Sequence, residues 1–168
     1  MINVLFLCIG NSCRSQMAEG FARTYGSDVM VPFSAGLSPA PIIQPLTKKV
    51  MLDKNISIDD QFPKDVAELL TQNFYMIVNI TGRNLPIRAA TEVIEWAVED
   101  PIGQSEEIYI KVRDQLEVLV MKLILDLRRR FPKEQIPPPA KPARTRPKPE
   151  AAPRTTRIGF GRVRPARD

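Results

Sequence analysis

The chain has 168 residues, which is enough for one domain with a hydrophobic core of its own. It contains two cysteines and no histidine, which argues against a disulfide-stabilised secreted fold and leaves proton transfer to carboxylates, thiols or water. The net charge is +5, yet residues 132–168 carry ten Lys/Arg and three acids, a net +7 that leaves −2 for residues 1–131. The basic balance therefore belongs to the C-terminal residues and indicates no nucleic-acid surface on the rest.

Strand and helix patterns alternate along residues 2–130. Continuous apolar runs predict buried strands, and apolar residues three or four apart predict helices. In chain order the predictions are strand 2–7, helix 14–25, strand 30–33, helix 46–54, helix 64–72, strand 75–80, strand 92–98 and a long final helix. The final helix has Ser105 as its N-cap, Arg128–Arg130 in its last turn and an apolar stripe of Ile108, Val112, Leu116, Leu119, Leu123 and Leu127.

This alternation predicts an open, parallel, three-layer α/β domain over residues 1–131. Ligands bind to such sheets at the carboxyl ends of the strands. Cys8, Ser34 and Asp100 each follow a predicted strand, so we expect all three at that edge.

The remaining residues, 132–168, are rich in proline and arginine. They have too few apolar side chains to become ordered, which predicts a disordered, solvated tail. The alternative is an arginine-rich arm that binds nucleic acid, an anionic membrane or an acidic partner.

Targeting signals are not recognisable in the sequence. Residues 1–9 are apolar but lack the basic start and the small-residue cleavage site of a secretory signal. No segment is apolar over the length that a membrane-spanning helix needs. The sequence therefore predicts a cytoplasmic protein with no membrane span.

The junction between the first strand and the first helix has the features of an anion site. Gly10 permits close backbone approach, and Asn11 tolerates a left-handed conformation that turns successive N–H groups inward. A cysteine at this position, Cys8, would be held as the nucleophilic thiolate. The guanidinium of Arg14 would hold two oxyanion oxygens, and Ser15 lies where its hydroxyl reaches the sulfur. The alternative for Cys8 is an ordinary buried cysteine at a strand end.

Two further residues have more than one interpretation. Cys13 is either a structural cysteine at the start of the helix or the partner of Cys8 in a reversible disulfide that prevents over-oxidation. Asp100 precedes Pro101, which stiffens its loop, and it is the leading candidate for the proton donor to a departing oxygen. Its alternative is an ordinary turn aspartate.

Three separated segments, Cys8–Ser15, Ser34–Gly36 and Asp100–Pro101, resemble the low-molecular-weight protein tyrosine phosphatase superfamily, which includes thiol-dependent arsenate reductases of bacteria. The resemblance spans about residues 2–130 and implies a four-stranded parallel sheet flanked by helices, with no metal or organic cofactor. It implies that Cys8 is the nucleophile and Asp100 the acid and base. Oxyanion binding and loop shaping fall to Arg14 and to Ile9, Gly10, Asn11, Ser12, Cys13, Ser15 and Ser34.

Residues 11–20 and 100–103 look like the arsenate reductase branch. The tyrosine phosphatases of this superfamily place aromatic residues after Asp-Pro, where this chain has Ile102 and Gly103. Thioredoxin-coupled arsenate reductases carry two further cysteines after the third strand, and residues 79–86 contain none. The resemblance therefore implies that an external thiol (a low-molecular-weight thiol, thioredoxin or a glutaredoxin-like protein) attacks Cys8, or that Cys13 resolves the adduct alone.

Three functional hypotheses follow. The first is an arsenate-reductase-like enzyme in which Cys8 attacks arsenate. The second is a phosphomonoester hydrolase that forms a phosphocysteine at Cys8, with Asp100 protonating the leaving oxygen. The third is a non-catalytic oxyanion-binding module, against which the combination of Cys8, Arg14 and Asp100 argues.

Overall fold

A computed structural model describes residues 1–69, 71–85 and 91–132. Its elements are, in chain order, β1 (Ile2–Cys8), α1 (Arg14–Tyr25), β2 (Met30–Gly36), α2 (Pro45–Leu52), α3 (Val66–Leu69), β3 (Met76–Asn79), β4 (Glu92–Glu95) and α4 (Glu106–Arg130). The strands form one parallel sheet in the order β2-β1-β3-β4. The predicted α/β class with a four-stranded parallel sheet is confirmed.

The central strand β1 carries core residues on both of its faces. Val4 and Phe6 belong to a cluster with apolar side chains of α1, α2 and α4. Leu5 and Leu7 belong to a second cluster, which includes Leu69 of α3. Because successive side chains of a strand point to opposite faces, these clusters lie on the two sides of the sheet. The three-layer arrangement follows from them.

The long helix α4 covers one of these faces. It begins after Ser105, which occupies the predicted N-cap position, and ends at Arg130. Four residues of the predicted stripe are buried (Val112, Leu116, Leu123 and Leu127), and Ile108 and Leu119 pack against the core partly buried.

β1 and β3 end one residue from their predicted ends, so Cys8 is the last residue of β1, and β2 and β4 end three residues from theirs. β2 continues to Gly36 because its pairing with β1 extends as far as Cys8, so Ser34 lies inside β2 rather than after it. β4 is shorter than the predicted strand 92–98. Its partner β3 ends at Asn79, which pairs with Glu95, and no further partner residues continue the ladder.

The helices between β2 and β3 also differ from the prediction. The predicted helix 64–72 is reduced to Val66–Leu69, since Lys64 and Asp65 pair with the end of β2. The N–H of Gly36 donates to the carbonyl of Lys64 at 2.9 Å, which holds these residues extended. α2 begins at Pro45 and ends at Leu52, where the sequence predicted 46–54.

Residues 133–168 lie outside the described residues. The predicted tail, its acidic partner and the domain boundary at residue 131 therefore stay predictions. Among the helices of the described ranges, none has the length and apolarity needed to cross a bilayer.

The backbone of Gly36 approaches the segment after β1 so closely that a side chain would collide with it. A Cβ at Gly36 would lie 2.7 Å from the carbonyl oxygen of Ile9 and 3.0 Å from the N of Asn11. We expect Gly36→Ala to lower the free energy of unfolding by about 1–3 kcal/mol, as overpacking against fixed backbone does.

The measurement is urea unfolding, with Gly10→Ala as the matched control. A Cβ at Gly10 meets its first neighbour, the Ser12 hydroxyl, at 3.5 Å, an ordinary contact distance. Equal unfolding free energies for the two variants would show that the backbone around Gly36 accommodates a methyl group with no loss of stability.

Candidate active site

The residues between β1 and α1, 9–13, form the loop around which the site is built, and we call them the anion loop. The carbonyl groups of this loop accept hydrogen bonds from residues 38–47, which lie outside it. Ser38 donates its N–H to Ile9 at 2.9 Å, Ala40 to Gly10 at 2.8 Å, and the Gln44 N–H and Thr47 hydroxyl to Ser12 at 3.1 Å each. In a trans peptide the C=O and the following N–H point in opposite directions. The N–H groups of the loop are therefore turned inward, as an anion site requires.

The thiol of Cys8 lies at the inner side of this loop. Its Sγ is 2.9 Å from the Ser15 hydroxyl and accepts the N–H of Asn11 at 3.2 Å. The Ser15 hydroxyl also accepts from Nδ2 of Asn11, so its own proton is available to the sulfur. The predicted contact between Ser15 and the sulfur is present in the structure.

Asn11 fastens the loop to three neighbouring segments. Its φ of 46° is left-handed, as expected from the sequence. Its Nδ2 donates to Ser15 of α1 at 2.8 Å and to Ser34 of β2 at 2.9 Å, and its Oδ1 accepts the N–H of Lys64 at 2.8 Å. Because Asn11 is fully buried, these bonds have no competition from water.

Arg14 is the first residue of α1, and its guanidinium contacts the backbone that follows β3 and β4. Its Nη1 donates to the carbonyls of Ile80, after β3, at 3.0 Å and of Val98, after β4, at 3.1 Å. Its Nη2 donates to Oδ2 of Asp100 at 2.8 Å, and the carboxylate balances the buried positive charge. Asp100 also accepts the N–H of Ile102 at 3.2 Å, while 42 % of its side chain stays exposed.

The side chain of Cys13 packs against α4 and not against the Ser15 and Asn11 contacts of Cys8. It is 2 % exposed, and its Sγ lies 3.7 Å from the hydroxyl of Tyr109 on α4. Burial raises the pKa of the Cys13 thiol, and burial also raises the pKa of Tyr109. Both cysteines are free thiols, and their sulfurs have different partners. The geometry favours the interpretation of Cys13 as a structural cysteine.

The structure thus gathers the residues that the sequence singled out, on one edge of the sheet. Cys8, Asn11, Ser15 and Ser34 form one hydrogen-bonded group, and Arg14 and Asp100 form an ion pair. Ile9, Gly10, Ser12 and Cys13 contribute backbone to the loop. The structure does not pair Cys13 with Cys8.

Sequence reasoning missed three residues that support this group. Glu19, mostly buried, accepts the hydroxyl of Ser34, and the ammonium of Lys64 lies 3.8 Å from its Oε2. Burial lowers the pKa of Lys64. Gln16 donates to the carbonyl of Asn11 at 2.9 Å. Glu19 was detectable, since it follows Ser15 by one helical turn, whereas Lys64 reaches the site only through the tertiary fold.

Comparisons with known proteins agree with this geometry. The model of the family described as low molecular weight phosphotyrosine protein phosphatase matches residues 3–133. The glutaredoxin arsenate reductase of Synechocystis sp. is 36% identical over 128 residues, covering 74% of this chain and 97% of that protein. The arsenate reductase of Halalkalibacterium halodurans is 34% identical over 123 residues, covering 67% and 88%.

A solved structure gives the same result for the fold. It is an arsenate reductase in the phosphate-binding state, 34% identical to this chain, with a TM-score of 0.70 and coverage of 76% of this chain and 99% of that one. The residues that the family model matches, 3–133, include the anion loop and the Arg14–Asp100 pair. The chain therefore belongs to the low molecular weight phosphotyrosine protein phosphatase family, in the branch that contains arsenate reductases.

Proposed function

We propose that this protein is an arsenate reductase in which Cys8 attacks arsenate bound in the anion loop and an external thiol releases arsenite. The observation that carries the proposal is the position of the Cys8 sulfur, which accepts the N–H of Asn11 at 3.2 Å and lies 2.9 Å from the Ser15 hydroxyl. The similarity to arsenate reductases along about three quarters of the chain supports arsenate as the oxyanion.

The first step forms a bond between sulfur and arsenic. The Cys8 thiolate attacks As(V), and one arsenate oxygen leaves as water after it takes up protons. The carboxyl group of Asp100, 2.8 Å from Arg14, is assigned the transfer of one such proton, and Arg14 and the loop N–H groups hold the remaining oxygens. The Nη2 of Arg14 donates to Oδ2 of Asp100 at 2.8 Å. A bound oxyanion would compete for that guanidinium and release the carboxyl group for proton transfer.

The second step reduces arsenic. An external thiolate attacks the Sγ of Cys8, so that an S–S bond forms and the S–As bond breaks. The electron pair of the S–As bond stays on arsenic, which becomes As(III) and leaves as arsenite. Each of the two sulfurs has lost one electron. A second thiol then reduces the mixed disulfide and regenerates Cys8.

The need for an external thiol follows from the positions of the cysteines. The chain has no cysteine besides Cys8 and Cys13. The Cys13 thiol is buried against the hydroxyl of Tyr109, and burial raises its pKa. The thiolate form that attacks is therefore scarce at Cys13. The name of the Synechocystis relative associates that protein with glutaredoxin, which supports a thiol-containing protein as the reductant here.

Phosphomonoester hydrolysis is the second candidate function. The same three groups serve it, because Cys8 would form a phosphocysteine and Asp100 would protonate the leaving oxygen and then activate water. The pairing of Asp100 with Arg14 at the mouth of the loop is the observation that favours it. Ile102 and Gly103, next to Asp100, offer no aromatic surface for a phenyl ring.

The two functions are separated by a pair of assays. We expect arsenite to form from arsenate only when thioredoxin, glutaredoxin or a small thiol is supplied, and we expect Cys8→Ser to abolish it. Aryl-phosphate hydrolysis is measured in parallel with the same preparations. Phosphate release without arsenite under every reductant would establish the phosphatase in place of the reductase.

The role of Cys13 is tested by Cys13→Ser. Because the Cys13 thiol faces Tyr109 and not Cys8, we expect this variant to form arsenite with an external thiol at a rate within about twofold of wild type. In Cys8→Ser, the remaining Cys13 should react with a disulfide reagent only slowly until guanidinium unfolds the chain. Loss of arsenite formation in Cys13→Ser would instead identify Cys13 as the resolving thiol.

The role of Asp100 is tested by Asp100→Asn. The amide keeps the size of the side chain but supplies no acidic proton, so we expect kcat to fall by about 10²- to 10⁴-fold. The KM for arsenate should change less, since Arg14 remains in place. A variant with unchanged kcat would show that the proton comes from elsewhere.

A further inference from the structure

A groove of about 380 Å³ lies beside the anion loop, and we call it the Phe62 groove. Its lining includes Pro41, Ile42, Pro45, Gln61, Phe62 and Pro63. Ile42 and Phe62 are each 61 % exposed, so the groove presents two large apolar side chains to solvent. The three prolines restrict the backbone of both walls, so the groove is preformed.

Both walls of the groove are attached to the anion loop. On one wall, the N–H of Ala40 donates to Gly10 and the N–H of Gln44 donates to Ser12. On the other wall, Gln16 donates to the carbonyls of Asn11 at 2.9 Å and of Phe62 at 3.0 Å. The segments that form both walls are therefore hydrogen-bonded to the loop that surrounds the Cys8 sulfur.

The groove offers apolar contact and little net charge. The ammonium of Lys48, which also lines it, is paired with Asp59 at 3.2 Å. The ammonium of Lys64 stacks over the Phe62 ring, 4.8 Å from its centroid, and faces Glu19. A small charged thiol gains little from such a surface, whereas a protein that presents apolar residues around its thiol buries Ile42 and Phe62.

We propose that the Phe62 groove is the docking surface for a protein thiol donor, a small dithiol protein whose reactive cysteine is surrounded by apolar residues. This inference rests on the proposed function, because only an external thiol brings a partner to Cys8. The partner thiolate attacks the Cys8 sulfur, the S–As electron pair leaves with arsenite, and a mixed disulfide remains. The second thiol of the partner then attacks its own first sulfur, which closes the partner's disulfide and releases the Cys8 thiolate.

The chain also provides a matched control surface. Val118 and Leu125 on α4 are 53 % and 52 % exposed and line a different groove with Tyr25. Tyr25 ends α1, whose 12 residues rise about 18 Å from the anion loop. A substitution at Leu125 therefore removes a comparable exposed apolar side chain that lies far from Cys8.

The test compares protein and small thiols. Arsenite formation is measured against the concentration of reduced thioredoxin and of reduced glutaredoxin, and separately with dithiothreitol, for wild type, Phe62→Ser, Ile42→Ser and Leu125→Ser. We expect the KM for at least one protein donor to rise about fivefold or more in Phe62→Ser and Ile42→Ser, as loss of an apolar interface anchor does. Leu125→Ser and all rates with dithiothreitol should stay at the wild-type level. Unchanged KM values for both protein donors, or an equal loss with dithiothreitol in both groove variants, would overturn the proposal.

A second measurement keeps this inference separate from the reductase itself. Cys8 is first converted to a mixed disulfide with thionitrobenzoate. The rate at which thionitrobenzoate is released is then measured with a thioredoxin or glutaredoxin that retains only its attacking cysteine. We expect Phe62→Ser to slow release by the protein thiol but not by dithiothreitol. Failure of wild type to form arsenite would refute the proposed function alone, whereas equal release rates for wild type and Phe62→Ser would refute the docking surface.

Discussion

Asn11 holds a left-handed backbone conformation inside the anion loop, and its buried side chain makes that conformation stable. Both polar atoms of the side-chain amide bind neighbouring segments. Nδ2 donates to Ser15 and Ser34, and Oδ1 accepts the N–H of Lys64. A left-handed residue other than glycine costs free energy, which persists only where surrounding contacts compensate for it. Here the compensating bonds are the same ones that join the loop to α1 and β2. The position of the Cys8 sulfur depends on them, since Ser15 and the Asn11 N–H are its partners.

The second constraint is the buried guanidinium of Arg14. Its five donors need acceptors, and the fold supplies two strand-end carbonyls and one carboxylate. The carbonyls after β3 and β4 fix the guanidinium to the sheet edge, and Asp100 supplies the charge that balances it. This arrangement places the proposed proton donor and the proposed oxyanion ligand in one ion pair. Substrate binding and proton donation would therefore be linked through a single side chain.

Much of the site could be predicted from local sequence patterns, because most of its functional residues are close together in the sequence. The strand, the turn with Gly10 and Asn11, and the helix beginning at Arg14 are consecutive, so their spacing alone indicates an anion site. The ends of other elements depend on partners instead. β4 ends early because β3 ends at Asn79, and α3 is shortened because Asp65 pairs with Gly36 of β2. No periodicity within residues 64–72 or 92–98 carries that information.

By itself, the sequence determined the order of strands and helices, the anion loop and the acid at residue 100, because each depends on neighbours in the chain. The tertiary structure decided what surrounds them. It placed Lys64 against Glu19, buried the Cys13 thiol against Tyr109 and built the Phe62 groove from residues 41–48 and 61–63. These contacts come from packing segments that are distant in sequence, where burial and charge compensation select the partner. Cys8 and Cys13, five residues apart in the sequence, consequently have different partners, Ser15 and Asn11 for Cys8 and Tyr109 for Cys13.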